Sequence, residues 1–189
     1  MACIVDLNDI APTCAAEQSP GGNNKRVFFL ARAALGTFTR AALNGAISGL
    51  TMAGAGSRIY VGQSRKKKTG AGSEMQRNEN GTIVHNQTVV MSFSYSTQIE
   101  KNAITEMAKS DDLIVIVERN DKRFEVYGWN QGLEGAVVFP QSLTLSETRD
   151  AQITFKGEDS EPAIEVLIPP TTGPATFTST LTALLALTQ

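Results

Sequence analysis

The chain predicts a small α+β domain that is mostly β, with one helix set among hairpins. Three neighbouring observations carry this. Val89, Met91, Phe93 and Tyr95 alternate with Ser92 and Ser94, the period of a half-buried strand. From Thr97 the period changes: Ile99, Ala103 and Met107, flanked by Ile104 and Ala108, make an apolar stripe at helical spacing. Then Leu113-Ile114-Val115-Ile116-Val117 runs apolar without a break, short and β-branched, as a buried strand does.

The elements follow in order. Residues 1–24 are punctuated by Pro12, Ser19-Pro20-Gly21-Gly22 and Asn23-Asn24 and read as an N-terminal arm, docked or frayed. Lys25 to Leu35, with Val27, Phe28, Phe29 and Leu30, reads as the first core strand. Residues 36–56 are rich in glycine and alanine and hold one strand at about 46–52. Arg58 to Gln63 alternates as another strand. Residues 64–81 form a protruding polar arm: a loop with the basic run Arg65-Lys66-Lys67-Lys68, a polar strand, and the hairpin turn Asn80-Gly81.

Thr82 to Ser96 is the long strand, polar at first and apolar later. Thr97 and Glu100 make a capping box for the helix, and Lys109 falls in its last turn. After the buried strand, Arg119 to Lys122 is a turn. Arg123 to Trp129 is a strand with Phe124 and Val126 on one side and Glu125, Tyr127 and Trp129 on the other. Short strands follow at 136–139, 151–156 and 164–168, separated by the glycine turn 132–135 and the acidic turn Gly157 to Pro162. The single domain therefore spans 25–168, and residues 169–189 read as a C-terminal extension. Leu181, Leu184, Leu185 and Leu187 give that extension one sticky face.

At 189 residues the chain suits one domain and can bury a sizeable core without staples. Its net charge of −2 gives no electrostatic footprint for sequence-specific nucleic-acid binding, and it is compatible with self-association. Cys3 and Cys14 read as free thiols or as one bridge across a short loop, not as a disulfide framework. Asp6 and Asp9 interrupt any secretory signal, and no stretch approaches the ~20 apolar residues of a membrane helix.

Catalytic and cofactor motifs are not found. His85 is the one histidine, on a strand, and reads as structural. There is no Cys/His metal spacing, no phosphate loop and no nucleophile elbow. The carboxylate pairs Asp111-Asp112 and Glu158-Asp159 lie at turns and read as solvated acids. The sequence therefore predicts a non-enzyme with no metal or cofactor. The most visible charge feature is Arg65 to Lys68. It reads as a solvated loop or as a contact to an acidic surface. The acidic turn with Glu158, Asp159 and Glu161 is its candidate complement on another subunit, and Asn80 and Gly81 join that set as contact residues.

Several segments resemble tail tube proteins of long-tailed phages and prophages of Bacteroidetes-type bacteria. They are Met1-Ala2-Cys3 with Cys14, the strand Val89 to Tyr95 and the helix with Glu100-Lys101-Asn102. Leu113 to Val117, Phe124 to Trp129, Gly132-Leu133-Glu134, Ile153 to Glu158 and Glu161-Pro162-Ala163 complete them. The resemblance covers 82–167 well, 1–24 partly and 36–81 poorly. No single motif in it is specific.

It implies the fold shared with the Hcp tubes of type VI secretion, a two-sheet β-sandwich or barrel with one flanking α-helix. It further implies a virion protein, assembled in the bacterial cytoplasm, that forms stacked rings, usually hexamers, around a lumen. Its implied partners are copies of itself, the tape-measure protein and DNA in the lumen, tail terminator and baseplate proteins, and a sheath if the tail is contractile. The other readings are a head–tail connector, tail terminator or capsid decoration protein, or a ligand-binding β-domain with a pocket around Trp129, Tyr127 and His85.

Overall fold

The computed structural model describes residues 23–55, 57–63, 69–94, 98–139 and 150–188. The arm before Asn23, the two cysteines, the basic run Arg65 to Lys68 and the cap residue Thr97 lie outside them.

Two sheets pack face to face, and no barrel closes among the described residues. In chain order the strands are β1 (Asn23–Ala31), β2 (Leu35–Arg40), β3 (Ile47–Met52), β4 (Tyr60–Gln63), β5 (Gly70–Arg77) and β6 (Ile83–Ser94). Helix α1 (Gln98–Ala108) follows, then β7 (Leu113–Arg119), β8 (Phe124–Tyr127), β9 (Glu134–Val138), β10 (Asp150–Asp159) and β11 (Ile164–Val166). Helix α2 (Phe177–Ala186) ends the chain. The seven-stranded sheet A has the order β2-β3-β11-β8-β7-β1-β4, and the four-stranded sheet B the order β5-β6-β10-β9. The protein is thus mostly β, as its sequence predicts.

Strand periodicity builds the core. Val27 and Phe29 of β1 and Val115 and Val117 of β7 face sheet B, where they meet Val89 and Met91 of β6 and Ile153 and Phe155 of β10. Helix α1 adds Ile104 and Ala108 to the same cluster. Phe28, Leu30, Ile114 and Ile116 point the other way and join a second cluster with Phe124 and Val126. Sheet A is therefore buried on both faces at its centre. That explains why Leu113 to Val117 carries apolar side chains at every position instead of alternate ones.

The second face is covered by α2, which corrects the reading of 169–189 as an extension. Thr176 and Ser179 form a reciprocal capping box at the helix start. Leu184 is fully buried, Phe177 stacks on Phe124 with ring centroids 5.2 Å apart, and Leu181 and Leu187 pack at the rim. The sticky face predicted from the leucines is occupied by the chain's own sheet. The described residues hold two α-helices where the sequence suggests one.

Four local features differ from the sequence reading. Residues 36–56 hold two paired strands, β2 and β3, where the sequence suggests one. Their small exposed residues hide the alternation, and hydroxyl contacts such as Thr37 to Thr51 at 2.8 Å replace apolar packing. Trp129 leaves the side of Tyr127 and joins Phe124 and Val126, because Gly128 takes φ +72° and turns the chain. Strand β10 continues through Glu158 and Asp159, so the acidic turn shrinks to Ser160 and Glu161. Lys109 falls just past α1, where it pairs with Glu106 at 2.8 Å.

Candidate functional site

Among the described residues, sheet B ends in two edge strands that pair with no further strand. Strand β5 pairs with β6 in unbroken antiparallel register, from Gly70 opposite Val90 to Arg77 opposite Ile83. Among the described residues no strand meets its outer side. An eight-residue edge invites pairing unless something blocks it, and β5 contains neither proline nor bulge. Strand β9 is the opposite edge, paired among the described residues with β10; Leu133, just before it, bridges to Leu113 of β7, and Ala108 of α1 packs close against Gly135. Because β5–β6, β6–β10 and β10–β9 are all antiparallel, β5 and β9 run in opposite directions. Placed side by side in two copies, they continue the ladder without reversing it.

The inward face of the β5–β6 hairpin projects past sheet A. Met75, which stands opposite His85, is 63 % exposed there, and Ile83 is also exposed. The turn is longer than the two-residue loop Asn80-Gly81 predicts: the Asn78 N–H donates to the Thr82 carbonyl at 2.9 Å and the Gly81 N–H to the Asn78 carbonyl at 2.9 Å, Gly81 takes φ +84°, and Asn80 Oδ1 accepts from the Thr82 N–H at 3.0 Å.

A buried polar lock holds this end of the sandwich. Gln87 is 2 % exposed and spans two loops. Its Nε2 donates to the Glu161 carbonyl at 2.8 Å, and its Oε1 accepts from the Gly128 N–H at 2.6 Å. Asp159, 3 % exposed, accepts from the backbone N–H and side-chain Nδ2 of Asn130 at 2.9 and 2.7 Å, and from the Glu161 N–H at 3.2 Å. Glu161 in turn accepts a two-pronged bond from Arg40, at 3.1 and 2.7 Å. Of the three acids marked as an intersubunit complement, Asp159 and Glu161 are thus engaged within the chain, and Glu158 alone is exposed and free of an ion pair among the described residues. Gln87 was legible as an anomaly, an amide at an apolar-facing position between His85 and Val89. Arg40 and Asn130 carried no such signal, because their partners are remote in sequence.

A cleft of about 870 Å³ opens beside the lock, on the outer face of sheet B. Its lining includes Asn86, Thr88, Glu134, Lys156, Glu158 and Asp111. Trp129, Tyr127 and His85 are not part of it. Tyr127 and Trp129 are buried in different clusters, so the pocket that a ligand-binding domain would build from them does not form. The Tyr127 hydroxyl donates to Glu125 at 2.9 Å, and burial followed by that carboxylate pushes the phenol well above its ordinary pKa of 10.0. Arg119 binds the other oxygen of Glu125. No group of three or more metal-ligating side chains occurs among the described residues.

Comparison with known protein families, with curated proteins and with solved structures finds no match.

Proposed function

We propose that this chain is a self-assembling structural subunit, a tail tube protein whose copies join into rings that stack into a hollow conduit for phage DNA. The observation that carries this is the pair of free, oppositely directed edges of sheet B. An edge strand left open is an aggregation liability, and a ring that pairs β5 of each copy with β9 of the next removes every such edge of that sheet. The contact is heterologous, so it closes only through a full rotation. The mixed polar outer face of sheet B then lines the inside or the outside of one continuous barrel. The resemblance of 82–167 to tube proteins supports the same reading.

Negative-stain microscopy of the purified chain tests it. Rings or hollow tubes are expected. Compact monomers at high concentration would overturn the proposal, and single rings that never stack would favour a connector or terminator.

A further inference from the structure

We propose that Asn44 and Asn80 are sites of self-modification in the folded protein. Each loses ammonia and becomes aspartate or isoaspartate through a cyclic imide closed by the glycine that follows it. Of the chain's asparagines, only these two precede glycine. Both pairs stand at hairpin tips, Asn44-Gly45 between β2 and β3 and Asn80-Gly81 between β5 and β6, and all four residues are exposed. The two tips share one hydrogen-bond arrangement. Asn44 Oδ1 accepts from the Ala46 N–H at 3.2 Å, and Asn80 Oδ1 from the Thr82 N–H at 3.0 Å. The Gly45 N–H donates to the Ala41 carbonyl and the Gly81 N–H to the Asn78 carbonyl, both at 2.9 Å.

This arrangement prepares the amide carbon for attack. A donor on Oδ1 draws electrons from Cγ and stabilises the negative charge that the oxygen takes as a bond to Cγ forms. The attacking group is the backbone nitrogen of the glycine. No side chain shields it, and a Cβ at Gly45 or Gly81 would meet nothing within 4 Å, so the approach is open. At every other described asparagine the following residue carries a side chain. Asn86 and Asn102 also lie in β6 and α1, whose regular backbone holds the following nitrogen away from Cγ. In the reaction the glycine nitrogen gives its proton to hydroxide, leaves its carbonyl partner and bonds to Cγ. The Cγ–Nδ2 bond breaks, and ammonia leaves with a proton from water, which returns the hydroxide. Water then opens the imide. Attack at Cγ gives aspartate in a normal chain, and attack at the α-carbonyl gives isoaspartate. Nothing is oxidised or reduced. Either product adds a negative charge to its tip, at Asn80 directly beside Glu79, and isoaspartate also lengthens the main chain of the hairpin by a carbon.

Peptide mass spectrometry of the full-length native chain, aged at mildly alkaline pH, tests this. Conversion of amide to acid is expected at Asn44 and Asn80 roughly tenfold or more ahead of the exposed Asn78, Asn102 and Asn120, and faster as pH rises. Gly45→Ala and Gly81→Ala should each slow conversion at their own tip and leave the other tip unchanged. Alanine is strained at the positive φ of these glycines, so Asn44→Gln and Asn80→Gln serve as a second pair. Their longer side chains must close a larger ring, and the acid signal should vanish from the substituted tip alone. Intact amides at both tips of the native chain, or conversion at Asn78, Asn102 or Asn120 that keeps pace with them, overturns the proposal.

Discussion

Gln87 shows how much a single side chain fastens in this fold. Its amide satisfies one donor and one acceptor on two loops that Asn130 also ties together through Asp159. Gln87→Leu leaves the Gly128 N–H and the Glu161 carbonyl without that partner in a buried site. Chemical denaturation should show a loss of about 2–3 kcal/mol, in line with buried polar groups left unpaired. A loss below a few tenths would mean that water replaces the amide.

Tyr127 gives a pH signature. Its folded pKa lies above its unfolded one, so the stability it contributes is present below about pH 10 and is lost as pH rises toward the folded value. Tyr127→Phe should therefore flatten the alkaline limb of the stability profile, measured as the difference from wild type between pH 8 and pH 11. Identical limbs would contradict this account of the site. At the residue scale, sequence showed which positions are odd but not what they bind. Asp159 reads as a turn acid until the fold brings Asn130 beneath it.

Elements with strong local periodicity were legible. The long strand β6, helix α1 and the unbroken apolar run of β7 all follow from spacing alone. Strand β2 was not legible, because threonine and glycine on an exposed ribbon leave no apolar alternation to read. Helix α2 was seen only as a sticky face, because its partner, the far side of sheet A, is assembled from strands distant in the chain. The helix acts as a structural cover. Leu184→Ala, at a fully buried site, should cost about 2–5 kcal/mol in denaturant melts, whereas Leu185→Ala, on the exposed side, should change little.

The free edge of β5 can be probed with proline. Successive backbone N–H groups in a strand point to opposite neighbours, so one of Ser73 and Glu74 donates toward β6 and the other outward. The outward one, changed to proline, should keep the thermal melt of wild type and abolish assembly; the other should lower stability. If both variants assemble normally, β5 is not an interface.

At the scale of the whole molecule, a net charge of −2 is compatible with self-association. The order of elements carried the resemblance to tube proteins. The sequence did not reveal that the domain is a four-stranded sheet backed by a seven-stranded one, with a second helix sealing the far face. Nor did it reveal that the four-stranded sheet ends in two open edges of opposite direction. Those are long-range properties of pairing, and residues as far apart as Arg40 and Glu161 settle them. The central claim is that these edges meet between copies. A cryo-electron microscopy reconstruction of the assembled particle tests it most directly. It should show β5 of each subunit hydrogen-bonded to β9 of the next in one continuous antiparallel barrel. Subunits joined through sheet A, or with β5 and β9 both facing solvent, would contradict it.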